Sequence, residues 1–293
     1  MAIEALEWEL DAAWRVRQAQ FSPQITFAYP LDTALISLTG AHCALQCAHC
    51  AGYYLRHMQP ILEAKVEDAP SVLISGGCGP SGCVPVTDYL ERIAEIGQGR
   101  KLNWHVGLID ESVMQRIAPY VDTISFDVVG DATTIREVYG LTKTPQDYAD
   151  TYTMLRRYAR VVPHITVGLL RGRLGHERLA LEMLARCDRD SRTGMPALVF
   201  IVFIPTPGTR YADFAPPPFR DVALLLAQAR RRFPTVPIHL GCMRPRGHYR
   251  AQLDPLAVRA GVNVLVSPSR QAREMAEQLG LQILHTRECC VFD

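Results

Sequence analysis

Eight short apolar runs, alternating with helical patterns, constrain this chain more than any other feature of its sequence. The runs are Leu35–Leu38, Val72–Ser75, Leu102–Leu108, Thr123–Val128, Val161–Leu169, Leu198–Ile204, Ile238–Leu240 and Val262–Val266. They are rich in Val, Ile and Phe and lack strict apolar–polar alternation, as expected of parallel strands covered on both faces. Helical periodicity falls between them, near 86–97, 111–118, 176–187 and 219–233. Thr144-Pro145 and Ser267-Pro268 each predict a helix start, with a capping hydroxyl ahead of a proline at the first helical position. Alternation repeated eight times predicts a (β/α)8 TIM-type barrel rather than an open doubly wound sheet. With 293 residues, 48% of them hydrophobic, one such domain accounts for the whole chain. Residues 1–20 predict an amphipathic helix, with Leu6, Leu10, Ala13 and Val16 on one face. The organisation therefore reads as an N-terminal helical extension (1–30), a barrel (31–281) and a C-terminal tail (282–293). The tail carries Cys289 and Cys290 and is expected to fold over the barrel mouth.

Charge argues against some partners. Lys and Arg number 31 against 30 Asp and Glu, a net charge of +1, which makes no global case for a nucleic acid. The first 21 residues mix acids with apolar groups and lack a secretion-type apolar core, and no uncharged apolar run reaches membrane-spanning length. The expectation is a cytoplasmic protein with no membrane segment. Nine cysteines, an odd number, then point to metal or redox chemistry, because thiols stay reduced there.

Three of these cysteines are bunched. Residues 43–50 read CALQCAHC, placing Cys43, Cys47 and Cys50 in a C-x3-C-x2-C pattern just after the first predicted strand. Barrel enzymes place their chemistry at that end of their strands. Thiolates are the preferred ligands of iron–sulfur clusters, and three of them bind three irons and leave the fourth of a [4Fe–4S] cluster open. A mixed zinc site using the flanking His42 or His49 is the alternative.

Other residues gather at strand ends. Ser75, Gly76 and Gly77, in ISGGCG, close the second run, and paired glycines let a backbone approach a ligand closely. Asp127 ends the fourth run and reads equally as a helix N-terminal acid. Val167-Gly168-Leu169 ends the fifth, where a small residue also serves tight packing. A Pro-Gly loop, Phe203 to Thr209, follows the sixth. Cys242 follows the seventh, Cys187 ends a helical pattern, and Cys78 and Cys83 follow the second run. These thiols read either as metal ligands or as small apolar residues.

The triad after the first strand resembles the radical S-adenosylmethionine superfamily. The longer stretches Ser37 to Met58, Ile74 to Cys78 and Gly241-Cys242-Met243-Arg244-Pro245 resemble its biotin-synthase-like branch, and most of all the two-protein lipoyl synthases first known from archaea. The superfamily implies a [4Fe–4S] cluster on Cys43, Cys47 and Cys50 whose open iron chelates S-adenosylmethionine, together with reductive cleavage to a 5′-deoxyadenosyl radical. It also implies that Ser75, Gly76 and Gly77 receive the methionine ammonium, that His49 stands near the adenine, and that Asp127 and Val167 contact the nucleoside. The family usually has Glu where this chain has Cys78, so the usual carboxylate is missing.

The lipoyl synthase branch implies sulfur insertion into an octanoyl-lysyl group on a lipoyl-carrier protein. It implies a second, auxiliary [4Fe–4S] cluster, for which Cys242, Cys289 and Cys290 are the preferred ligands, with Cys78 or Cys83 as substitutes. It further implies a related second lipoyl synthase protein and a reductant such as ferredoxin or flavodoxin. Arg244, Arg246 and Arg250 near the mouth are expected to steer an acidic carrier. Two other readings compete: a superfamily methylase or C–C bond former without sulfur transfer, and a non-catalytic iron–sulfur or zinc-binding barrel.

Overall fold

The computed structural model describes residues 3–189 and 193–292; residues 1–2, 190–192 and 293, including the outer bounds of the predicted extension and tail, lie outside the described residues. The first half of the chain runs α1 (Ile3–Gln20), β1 (Gln24–Ala28), β2 (Thr33–Ser37), β3 (Gln59–Pro60), β4 (Ser71–Ser75), α2 (Leu90–Gly97), β5 (Lys101–Trp104), α3 (Glu111–Ile117), β6 (Thr123–Asp127), α4 (Ala132–Thr134) and α5 (Pro145–Leu155). The second half runs β7 (Arg160–Val167), α6 (His176–Arg189), β8 (Leu198–Val202), α7 (Phe219–Arg232), β9 (Ile238–Leu240), α8 (His248–Arg259), β10 (Val264–Val266), α9 (Arg270–Gln278) and β11 (Gln282–Thr286).

All eleven strands join one parallel sheet in the order β11-β1-β10-β9-β8-β7-β6-β5-β4-β2-β3. This corrects the expected closed eight-stranded barrel, because among the described residues no ladder joins β11 to β2 or β3. Hydrogen bonds of the connecting segment bridge the seam instead, from Tyr29 N–H to Thr286 O and from Asp32 N–H to Arg287 O. The segments read as extension and tail contribute β1 and β11 to the sheet.

Strand alternation divides the core in two. One face of each strand packs beneath the helices, with Trp104, Phe200 and Leu240 fully buried there. The other faces the interior, where Ala28, Val162, Val199, Val264 and Val266 cluster around Cys290 and Val291. The turn Cys290–Phe292 thus plugs the interior. It enters beside the starts of the strands: Lys101 pairs with Glu288, Arg160 donates to the Val291 carbonyl, and the Cys289 N–H donates to Thr33. The expectation of a tail folded over the mouth is therefore reversed.

Local chemistry explains the helix starts. Thr144 and Asp147 cap α5 reciprocally. Ser269, not Ser267, caps α9. Helix α8 was hidden in the sequence by Pro255 within it.

Arg244 is fully buried, correcting its expected role in steering a partner. Its guanidinium grips both oxygens of Asp254, at 2.9 and 3.1 Å, and donates to Gly241 O and Ser267 O. Asp254 also accepts the Ser269 N–H at 2.8 Å. One ion pair therefore fixes the loops after β9 and β10 to α8. Stripping a charge of its partner inside a protein typically costs about 3–5 kcal/mol. Asp254→Ala is expected to lose stability on that scale in urea unfolding. Asp11→Ala, at the exposed Arg259 pair, is expected to lose about 0–1 kcal/mol. Equal, small losses at both sites would refute this account.

Candidate functional site

The loop after β2 is built by short hydrogen bonds to its neighbours. Ser37 Oγ donates to Gly40 O at 2.6 Å, turning the chain. Thr39 Oγ1 donates to His42 O at 2.8 Å and accepts the Gly77 N–H at 2.7 Å, tying the cysteine loop to the end of β4. Further along, the Ala44 N–H donates to Cys78 O. Ala48 is clamped on both sides: its N–H donates to Val138 O in the π-turn Ile135–Tyr139, and its carbonyl accepts the Tyr211 N–H.

Gly77 makes this seat possible. A Cβ there would lie 2.0 Å from His42 O and 2.5 Å from Cys43 Cα. Any other residue would push the triad loop off the strand end. The paired glycines therefore have a steric role between protein segments, beside the ligand-facing one expected from sequence.

Cys43 and Cys47 are buried and Cys50 is partly exposed. The Cys47 thiol donates to the Cys50 sulfur; this holds Cys50 well below the usual thiol range and pushes Cys47 up, with His49 further lowering Cys50. The loop thus favours one thiolate even without a metal. His49 packs edge-on to Tyr139, with ring centroids 5.9 Å apart, and its Nδ1 is buried without a partner. Among the described residues, no three His, Cys, Asp or Glu side chains are grouped as a single metal ion requires.

The remaining predicted residues fall at different places. Ser75 lies beside His105, 3.4 Å from its Nδ1. Asp127, at the end of β6, lines a small cavity with Cys47, Cys78 and His105. Val167 is buried in the helix-side core, its carbonyl accepting the Phe203 N–H, so only its backbone approaches the strand-end region. Cys242 follows β9 and its side chain is exposed; the surrounding protein nonetheless pushes its thiol up, with Cys289 adding to the effect. The Asn103 amide lies 3.9 Å from the Cys289 sulfur. Cys290 packs in the interior apolar cluster.

Sequence reasoning missed three interior histidines. His105, His164 and His239 come from the end of β5, from β7 and from β9. Burial lowers all three, His164 to about 4 and His239 to about 3, so each imidazole is neutral at pH 7. Asp127 partly opposes the shift at His105 and His164. The signal was available: Asp127 is in register with His164, and Val199 with both His164 and His239, which puts these side chains on one face.

No family model matches the sequence, and neither does any curated protein. The fold is shared with solved structures. Methylornithine synthase (PylB) superposes with a TM-score of 0.67 at 16% identity, covering 97% of this chain and 90% of that one. HydG, a maturase of the [FeFe]-hydrogenase, gives 0.71 at 11% identity, covering 98% and 70%. HydG from Carboxydothermus hydrogenoformans gives 0.68 at 13% identity, covering 97% and 73%. At these identities the likeness is one of fold. No helix among the described residues is long and apolar enough to cross a membrane.

Two outcomes are expected. Gly77→Ala should displace the triad loop, so the anaerobically reconstituted variant should bind far less iron while its far-ultraviolet circular dichroism is unchanged; full iron content would contradict the steric role. The buried histidines also set a pH dependence. Their folded pKa values lie below the unfolded value, so the unfolded chain takes up protons first as pH falls. Stability is highest above about pH 6.5 and declines toward pH 4, by at most about 1.4 kcal/mol per pH unit for each histidine. Denaturant titrations from pH 7 to 4 test this, and His239→Asn should flatten the slope.

Proposed function

We propose that this chain is a radical S-adenosylmethionine enzyme, and the single observation carrying that reading is the seated Cys43–Cys47–Cys50 loop at the ends of parallel strands. The donor set fits an iron–sulfur cluster: three thiols, one already favouring the thiolate, with Cys47 lining the small interior cavity. The unpartnered His49 Nδ1 gives a bound nucleoside a hydrogen-bonding group. The fold shared with methylornithine synthase and HydG supports the reading too.

Cys43, Cys47 and Cys50 would hold the [4Fe–4S] cluster. With S-adenosylmethionine bound, that group supplies reductive cleavage and a 5′-deoxyadenosyl radical. The protein's part is to position and to exclude. Thr39 and Gly77 hold the loop against β4. Ser75, Gly76 and Gly77 offer backbone at the strand end, and Asp127 offers a carboxylate beside the cavity. His105 and His164 stay neutral near it, so they serve as hydrogen-bonding groups without adding charge.

Sulfur insertion into an octanoyl-lysyl group is the finer reading. It rests on Cys242 and Cys289, which lie near enough to each other for Cys289 to push the Cys242 thiol up. An octanoylated carrier protein, a related second synthase and a ferredoxin or flavodoxin belong to this reading.

Incubating anaerobically reconstituted protein with S-adenosylmethionine and a strong reductant should release 5′-deoxyadenosine. Alanine at Cys43, Cys47 or Cys50 should reduce release to background, and undiminished release would refute the cluster assignment. Mass spectrometry of an octanoyl-lysyl peptide then separates the finer readings. A gain of one sulfur supports insertion. Cofactor cleavage with an unaltered peptide favours a methylase or C–C bond former.

A further inference from the structure

A fourth thiol stands beside the three of the loop after β2. Cys78 follows Gly77 directly, and its carbonyl accepts the Ala44 N–H at 3.0 Å and faces the Cys43 thiol at 3.9 Å. Its side chain lines the same small cavity as Cys47 and Asp127. The other thiols outside the triad are placed differently. Cys83 donates to Leu108 O at 2.9 Å, Cys187 lies in a groove between α5 and α6, and Cys290 is in the interior apolar cluster. Cys78 is therefore the extra thiol that shares a cavity with Cys47 of the triad.

Three thiolates leave one iron of a four-iron cluster without a protein ligand. A thiol in the same cavity competes for that position. We propose that Cys78 supplies a fourth thiolate to this cluster while no cofactor is bound, and gives up the position when S-adenosylmethionine arrives. This rests on the cluster assignment made above and adds a closed resting state to it. The exchange balances without electron transfer. An Fe–S bond forms as the Cys78 proton leaves to water. Fe–N and Fe–O bonds from the cofactor's amine and carboxylate later replace it, and the thiolate regains a proton. The closed cluster has no open iron for oxygen or other small ligands. A closed state favoured tenfold weakens apparent cofactor affinity by about tenfold.

The test uses the full chain, reconstituted anaerobically with iron and sulfide. Sulfur K-edge absorption counts iron–thiolate bonds with and without S-adenosylmethionine, and equilibrium titration gives its affinity for wild type, Cys78→Ser and Cys78→Ala. The expected result is a loss of one thiolate bond when cofactor binds wild type, no loss in either variant, and about tenfold tighter binding by both. The wild-type comparison needs no variant, and Cys78→Ser preserves side-chain volume should the alanine protein misfold. A wild-type cluster with the same count in both states, and unchanged affinities in the variants, overturns this proposal and leaves the radical reading standing. Failure of wild type to assemble any cluster overturns both.

Discussion

The site depends on a close approach between two backbone segments. The cysteine loop leaves β2, crosses the end of β4 and packs where Gly77 has no side chain. Thr39 then links the two through one hydroxyl, accepting from Gly77 and donating to His42. Van der Waals exclusion sets the distance and hydrogen bonding sets the register. The placement of all three cysteines follows from these contacts and from the clamp on Ala48. A rigid seat matters for cluster chemistry, because ligands held on well-supported elements keep their geometry better than ligands on loose loops.

Away from the loop, stability and chemistry are kept apart. The helix-side core is apolar, and the buried Arg244–Asp254 pair there ties the loops after β9 and β10 to α8. The interior side mixes an apolar wall with histidines, serines and Asn103, several of them bonded to one another; Ser125 donates to Asn103 at 2.9 Å. Buried polar groups are costly unless partnered. The unpartnered Nδ1 of His239 is an exception in this interior, as the Nδ1 of His49 is in the loop.

Much of this was legible in the sequence, and the parts that were not have physical reasons. Long β-branched runs announced β6, β7 and β8, because strands buried on both faces must be apolar throughout. The triad was legible because its spacing is local. β1 and β11 escaped notice: β11 has an exposed edge and includes Gln282 and His285, so its composition is that of a loop. Missing β11 then misplaced the tail, since β11 pairs with β1 and so ends level with the start of β2, where the Cys289 N–H meets Thr33. Arg244 was misread because sequence gives no sign of Asp254 ten residues later folding back to meet it. The histidines were legible only through strand register, which pairs residues far apart in the chain.

The two-sided lining of the interior has a consequence for recognition. Ala28, Val162, Val199, Val264 and Val266 form an apolar floor covered by Cys290 and Val291, while Ser75, His105 and Asp127 belong to a hydrogen-bonding region beside the small cavity. A guest reaching that cavity therefore meets thiols and hydrogen-bonding groups before any methyl floor, and polar atoms on it find partners there.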